Sequence, residues 1–325
     1  MEFLKFLEGI RTPLGDAFFS AVTHLGEETI FILVGLLFFW CINKKQGYYI
    51  LSVGFVGTVI NQFLKLAFRI PRPWVKDPSF TIVESARAEA TGYSFPSGHT
   101  QSGVGVFGSI ARLFSQKSIS ANSEKTANQK RGILIVRILC ILACILIPLS
   151  RMYLGVHTPV DVGVSFFIAT ALILLLYPLV NKALENPNYM HIFFGCMMTI
   201  SLAYLIYVLV FPFPANIDTV NLSSGEKHAY QMLGCIVGLW IAYGVDVRYT
   251  HFETKAVWWA QALKLVLGLI PLLLIKSVLK NPLYALCGGS YIADGIRYFL
   301  IVLFAGCIWP MTFKFWAKLG VNKTK

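Results

Sequence analysis

The amino-acid sequence predicts an all-α fold, a polytopic membrane helical bundle with about nine transmembrane helices and an N-terminal amphipathic helix. Hydrophobic residues make up 56% of the 325 positions and charged residues only 14%, against about 25% charged in a typical soluble domain. Long apolar runs also recur along the chain, as expected if each forms a membrane-crossing helix of roughly 20 residues.

Nine apolar runs are candidates for membrane spans. Several contain glycines and a few polar residues, which is typical of helices that pack in a membrane bundle. The predicted spans lie at 28–43, 47–68, 98–115, 132–149, 159–181, 191–212, 230–247, 257–276 and 292–312.

The N-terminal segment has a different pattern. Phe3, Leu7 and Ile10 recur at helical spacing, and charged residues occupy positions between them. This is typical of an amphipathic helix on a membrane surface, and a cap on the bundle fits the pattern equally well. We therefore predict three parts, an interfacial segment at 1–25, a six-span core at 26–212 and a three-span C-terminal extension at 213–325.

The net charge of +12 is spread over many short loops, without a basic cluster interleaved with aromatic residues. It therefore indicates the positive flanks of membrane spans and gives no support for a nucleic-acid partner. The basic segment 112–137 and the basic C-terminal tail are assigned to the cytoplasm. Nine spans then place the N-terminus outside, and with it the loop at 69–97 and the turn at 150–158.

The seven cysteines lie mostly inside apolar spans, without the spacing of a disulfide framework or a zinc site. The sequence also shows no cluster of carboxylates suited to magnesium. We therefore expect no metal and no cofactor. The sequence leaves the oligomeric state open.

The first polar motif ends the second predicted span. Lys65 precedes Arg72 by seven residues, which is about two helical turns. The spacing predicts that both cations project from one helix face before Pro71 and Pro73 end the helix.

The second motif begins the third predicted span. Pro96 disfavours helix at the residue before it, and Ser97 is a suitable N-cap. The free amides of the first turn, around Gly98 and His99, then form a site that attracts an anion.

The third motif joins two spans at 150–161. Thr158 and Pro159 predict an N-cap followed by a first helical position, which makes Asp161 the third residue of the helix. From there its carboxylate can reach the amides of its own helix or the imidazole of His157. A carboxylate that holds one imidazole nitrogen leaves the other available as a base or nucleophile.

The three motifs fall on one side of the predicted bundle. They supply the cations Lys65, Arg72 and Arg151, a set of helix-terminal amides, and two histidines. Such a group of donors suits a ligand with several negative oxygens, such as a phosphate.

The same residues resemble the three-part signature of the type-2 phosphatidic acid phosphatase superfamily, which reads Lys-x6-Arg-Pro, Pro-Ser-Gly-His and Ser-Arg-x5-His-x3-Asp. All eleven fixed positions are present: Lys65, Arg72, Pro73, Pro96, Ser97, Gly98, His99, Ser150, Arg151, His157 and Asp161. The resemblance in motifs covers 65–161, and the hydrophobic layout extends it to the six-span core.

The resemblance implies a metal-independent phosphomonoesterase. By analogy, His157 attacks phosphorus and forms a phosphohistidine, Asp161 orients it, and His99 protonates the departing oxygen. The phosphate-binding groups implied by the resemblance are Lys65, Arg72, Ser97, Gly98 and Arg151.

Several substrates fit this resemblance. A site at the external membrane boundary suits a lipid phosphate or diphosphate, such as phosphatidate, phosphatidylglycerol phosphate, a polyprenyl diphosphate or a lipid A-like phosphate. Glucose-6-phosphatase, in the same superfamily, also resembles the nine-span layout, so a soluble sugar phosphate is the alternative. A transporter that binds a phosphate or lipid without hydrolysis is a third hypothesis.

Overall fold

The structure, a computed structural model, describes residues 1–120 and 126–319, with the backbone alone described at 116–120. The predicted all-α class is confirmed, because every regular element in these ranges is helical. In chain order the α-helices are α1 (Glu2–Gly9), α2 (Pro13–Thr23), α3 (Glu28–Leu37), α4 (Lys44–Phe68), α5 (Pro73–Lys76), α6 (Gly98–Ser120), α7 (Ala127–Tyr153), α8 (Pro159–Ala183), α9 (Pro187–Val210), α10 (Thr219–Val245), α11 (Trp258–Val278), α12 (Lys280–Leu286), α13 (Ile292–Leu303) and α14 (Phe313–Lys318).

Fewer helices than the nine predicted are long and apolar enough to span a membrane in the described residues. Within the described ranges, seven helices are long and apolar enough to cross a membrane, and the pair Pro13–Gly26 and Glu28–Ile42, bent by 52°, raises the number to eight if it is one span. The predicted span 98–115 lies in α6, which is 23 residues long but has polar side chains in its first two turns. The predicted number of nine is therefore approximate.

The chain divides into two compact units. The first contains Met1–Leu33 and Ser52–Tyr177, and the second contains Val34–Leu51 and the chain from Pro178 onward. The division at 213 into a six-span core and a three-span extension stays a prediction. Part of the basic segment 112–137 and the end of the basic tail lie outside the described residues.

In the first unit, α6 packs along α7, and both α1 and α2 pack against α7. The N-terminal helix contributes Leu4, which is buried in a cluster with Phe80, Ile82, Met152 and Val162. Burial of this apolar cluster fixes the loop after α5 against the adjoining ends of α7 and α8. The third polar motif lies at this junction.

The turn between α7 and α8 requires glycine at position 155. Gly155 has φ of 82°, in the left-handed region that only glycine adopts without strain. A Cβ atom there would lie 2.6 Å from Nη2 of Arg11 and 3.0 Å from the ring of Phe80. The backbone of Gly155 thus allows a tight turn and close packing of Arg11 at the same point.

In the second unit, α10 packs against α9 and α13. The contact between α10 and α13 is close because a Cβ atom on Gly234 would lie only 2.2 Å from the carbonyl oxygen of Gly295. Small residues allow this backbone approach, as in many membrane helix pairs. The buried indole of Trp40 also donates to the Ala305 carbonyl at 2.8 Å.

The close approach at Gly234 predicts the effect of a single methyl group. We expect Gly234→Ala to lower the stability of the protein in detergent by about 1–3 kcal/mol, because the backbone of α13 must move to accommodate the Cβ. Gly244→Ala is the matched control in the same helix, since its Cβ would meet nothing within 4 Å. Thermal unfolding of both variants tests the packing, and equal melting temperatures would contradict it.

Candidate active site

The imidazole of His157 lies at the centre of the polar residues and is 1% exposed. Its position follows from the end of α7, where the carbonyl of Arg151 accepts from the backbone N–H groups of Val156 at 3.1 Å and His157 at 3.3 Å. The chain turns back at this point, so that Arg151 and His157 are adjacent although five residues separate them.

The tautomer of His157 follows from its neighbour Arg72. Nη1 of Arg72 lies 2.9 Å from Nε2 of His157. A guanidinium has only donors, so Nε2 must accept, and the proton of the neutral ring resides on Nδ1. That nitrogen faces Oδ2 of Asp161 at 3.6 Å, which is too long for a hydrogen bond.

The carboxylate of Asp161 joins three parts of the site. Asp161 is the third residue of α8, as predicted. Its Oδ2 atom accepts from the Thr158 amide at 2.8 Å and from the Ser94 hydroxyl at 2.6 Å. The carboxylate therefore contacts its own helix terminus, faces His157, and is fixed by the loop that precedes α6.

Burial lowers the pKa of His157 below its ordinary value, and the positive charges of Arg72, Arg151 and Lys65 lower it further. His157 is therefore neutral near pH 7, as a nitrogen nucleophile must be. These interactions also place Lys65, Arg72 and Arg151 within electrostatic reach of His157.

The three cations are buried without carboxylate partners. Lys65, Arg72 and Arg151 are 7%, 6% and 0% exposed, and none forms an ion pair in the described part of the chain. Lys65 donates to the Tyr93 carbonyl at 2.5 Å, and Arg72 donates to the carbonyls of Thr91 and Gly92 at 2.7 and 3.1 Å.

Arg151 has the least complete set of partners. Its Nη1 atom donates to the Thr23 hydroxyl at 2.6 Å, while Nε and Nη2 are buried without a hydrogen-bond partner in the described residues. A buried charge of this kind is costly unless an opposite charge compensates it. The arrangement therefore calls for an anionic ligand with several oxygens.

The expectation that Lys65 and Arg72 share one helix face is wrong. Helix α4 ends at Phe68, and Arg69 has a left-handed φ of 51°. Pro71 and Pro73 each disfavour helix at the residue before them, so Arg72 lies in extended backbone just before α5. The turn of the chain, rather than helical spacing, brings Arg72 to His157.

The start of α6 lies against the start of α8. Helix α6 begins at Gly98, and the hydroxyl of Ser97 accepts from the Thr100 amide at 3.4 Å, consistent with the predicted N-cap. The Ser97 amide itself donates to the Asp161 carbonyl at 3.2 Å. The Ser97 amide is therefore occupied, and the amides of Gly98 and His99 are the ones that can donate to an anion.

The imidazole of His99 has a carboxylate partner that sequence reasoning missed. Nε2 of His99 lies 3.2 Å from Oε2 of Glu89, and the other oxygen of Glu89 lies 3.4 Å from Nδ1 of His24. Ser94 and Thr23 were missed in the same way. Glu89 and Ser94 are in the polar loop at 69–97, but no spacing rule relates a loop residue to the helix residue it contacts.

His24, Glu27 and Glu89 form a group that we call the carboxylate cluster. His24 and Glu27 are hydrogen bonded, and one ligand atom from each residue lies within 4.8 Å of the others. This geometry could hold a metal ion, which the sequence did not lead us to expect. Glu89 contacts His99, and both carboxylates act electrostatically on the buried Arg151.

Fold and site together define a helical membrane protein that can hold a tetrahedral oxyanion beside a neutral histidine. The PAP2 superfamily matches residues 45–185, and the transmembrane extension of PAP2 superfamily phosphatases matches residues 230–322. The chain therefore belongs to the PAP2 superfamily, and the first matched range contains every predicted site residue.

Two curated relatives extend over most of the chain. Sphingosine-1-phosphate phosphatase 1 of Mus musculus is 24% identical over an alignment of 279 residues, and the match covers 81% of this chain and 59% of the relative. A probable sphingosine-1-phosphate phosphatase of Dictyostelium discoideum is 27% identical over an alignment of 245 residues, and the match covers 72% of this chain and 56% of the relative. The chain thus spans somewhat more than half the length of these relatives.

One solved structure is also similar, the PAP2 type phosphatidylglycerolphosphate phosphatase of Bacillus subtilis. The two chains are 24% identical, with a TM-score of 0.45, and the match covers 56% of this chain and 84% of the other.

The unpartnered donors of Arg151 predict binding of a phosphate analogue. We expect orthovanadate to stabilise the protein in detergent, by about 2.7 kcal/mol when its concentration is a hundredfold above Kd. Arg151→Gln should abolish most of this increase in melting temperature. The matched control is Arg87→Gln, because Arg87 is an exposed residue paired with Glu84. An equal vanadate effect in both variants would remove Arg151 from the site.

Proposed function

We propose that the protein is an integral membrane, metal-independent phosphatase that hydrolyses the phosphate monoester or diphosphate of a lipid through a phosphohistidine intermediate on His157. The observation that carries the proposal is the buried, neutral imidazole of His157, with Nε2 in a pocket of three cations that have no carboxylate partners. Such a pocket stabilises the negative charge of a transferring phosphoryl group.

In the first step, Nε2 of His157 attacks phosphorus. Arg72 must release Nε2 for this attack, and its guanidinium then donates to a phosphate oxygen together with Lys65 and Arg151. The P–N bond forms as the bond to the leaving oxygen breaks, and His99 delivers a proton to that oxygen. The carboxylate of Asp161 stabilises the positive charge that develops on the His157 ring.

In the second step, water attacks the phosphohistidine. His99, now without its proton, accepts a proton from the water as the new P–O bond forms. The P–N bond breaks, and His157 returns to its neutral form with inorganic phosphate in the pocket. The groups that stabilised the first transition state act again in the second.

A lipid substrate is supported by the surroundings of the site. A cavity of about 480 Å³ adjoins the start of α8 and is lined mainly by apolar groups, including Met1, Phe3, Leu4 and Ile70. It has room for part of a hydrocarbon chain beside the site. The sphingosine-1-phosphate phosphatases named above also favour a lipid with one phosphate over a soluble sugar phosphate.

We also propose that the site faces the external side of the membrane and that the C-terminus is cytoplasmic. The proposal rests on the positive residues near the C-terminus, which include Lys314 and Lys318. Lys and Arg near span ends favour the cytoplasmic side.

The nucleophile assignment predicts a specific loss of activity. Purified protein with a chelator present should release phosphate from lipid phosphates faster than from glucose 6-phosphate, and His157→Ala should lose nearly all activity. Asp161→Asn should lose less, because the nucleophile itself is kept. Labelled phosphate should be trapped on His157 after rapid acid-free quenching. A phosphoenzyme on His99 would reverse the two histidine roles, and full activity in His157→Ala would exclude the mechanism.

The lowered pKa of His157 predicts how kcat/KM changes at acidic pH. Protonation removes the Nε2 lone pair, so kcat/KM must fall as the pH decreases through this pKa. Because burial and three cations lower it, the fall should occur below pH of about 6.5, the ordinary value for histidine. Initial rates measured from pH 4 to 8, with stability checked at each pH, test this expectation. A fall centred above 6.5 would contradict a buried neutral nucleophile.

A further inference from the structure

The carboxylate cluster of His24, Glu27 and Glu89 lies where a purely anionic ligand would be repelled. Glu27 and Glu89 both act electrostatically on the buried Arg151, and Glu89 contacts Nε2 of His99. The hydrogen bond from His99 lowers the pKa of Glu89 to about 2. Negative charge is therefore present at the edge of the pocket at neutral pH.

The cluster is held close to the phosphate pocket by two contacts. Arg151 donates to Thr23 at 2.6 Å, immediately before His24. A Cβ atom on Gly26 would lie 2.8 Å from the His99 carbonyl oxygen. The turn that carries His24 and Glu27 is thus packed on the first turn of α6. Arg151 still has two buried donor atoms without partners, although Glu27 and Glu89 are close enough to act on its charge.

The position of the cluster relates it to the leaving group. In the proposed reaction His99 donates a proton to the departing oxygen, and in the structure the His99 ring contacts Glu89 through Nε2. A ligand group that interacts with Glu27 and Glu89 must therefore belong to the part of the substrate beyond that oxygen. Two carboxylates in this position suit a cation on the leaving group.

We propose that the carboxylate cluster binds a primary ammonium group on the carbon next to the ester carbon of a lipid phosphate, so that the site recognises a zwitterion. In such a lipid the nitrogen lies about 3–4 Å from the ester oxygen, so one lipid can place its ester oxygen at His99 and its ammonium at Glu89, two side chains that contact each other. The phosphate then occupies the unpartnered donors of Arg151 while the ammonium is held by Glu27 and Glu89. This inference rests on the proposed function and specifies its substrate class.

The test compares three lipids that differ at this nitrogen. The probes are sphingosine 1-phosphate, N-acetylsphingosine 1-phosphate, in which the nitrogen is uncharged, and octadecyl phosphate, which has no nitrogen. With chelator present, kcat/KM should be on the order of tenfold higher for the first probe than for either of the others, as a charged hydrogen bond provides.

The variants test which residues cause the preference. Glu27→Gln should reduce the ratio of kcat/KM between sphingosine 1-phosphate and octadecyl phosphate by about tenfold, as expected for the loss of one charged partner. Glu89→Gln should reduce this ratio as well, and it should also lower kcat for all probes because Glu89 contacts His99. The control is Glu84→Gln, which alters an exposed carboxylate of the same loop, paired with Arg87, and should keep the ratio. Vanadate-dependent stabilisation shows that each variant is folded.

Several results would overturn the inference. Equal kcat/KM for the three probes, or an unchanged ratio in Glu27→Gln, removes the ammonium site but leaves the phosphatase proposal standing. A preference that appears only when the chelator is replaced by Mn²⁺ or Zn²⁺ assigns the cluster to a metal ion instead. Phosphate release from none of the probes overturns both proposals together.

Discussion

Buried positive charge without a carboxylate partner is the constraint on which the site depends. Lys65, Arg72 and Arg151 are each at most 7% exposed, and the acceptors they contact are uncharged: backbone carbonyls, a hydroxyl and the imidazole of His157. The cost of keeping such charges in a low-dielectric interior is offset when an anion with several oxygens enters. The same charges hold His157 neutral, so the groups that attract the phosphate also keep the nucleophile reactive.

The geometry of the site is fixed by one carboxylate that joins distant segments. Asp161 faces His157, accepts from Ser94 in the preceding loop, and through its carbonyl accepts from the Ser97 amide at the start of α6. Hydrogen bonds from the Ser94 hydroxyl and the Thr158 amide leave the carboxylate little freedom to rotate. Preorganisation of this kind lets charged groups act on a transition state without a reorganisation cost. Arg72 adds to this preorganisation because it selects the His157 tautomer in which Nε2 carries the lone pair.

Capping and spacing rules predict a residue's position correctly where the motif lies within one helix. The Thr158–Pro159 pattern correctly placed Asp161 in the first turn of α8, and hydropathy correctly gave the all-α class. Rules of spacing failed for Arg72, because two prolines and the left-handed backbone at Arg69 end α4 early. The contacts of Glu89, Ser94 and Thr23 depend on how loops pack on other segments, which no local pattern encodes. For the same reason the sequence did not reveal the carboxylate cluster.

The most direct test of the account is an experimental structure of the protein with orthovanadate bound. We expect vanadium bonded to Nε2 of His157, with vanadate oxygens contacting Lys65 and Arg151 and with Arg72 turned from the imidazole to the anion. Vanadate bonded to His99, or found outside the pocket with Arg72 still on Nε2 of His157, would contradict the claim that these buried cations exist to hold a phosphoryl group at His157.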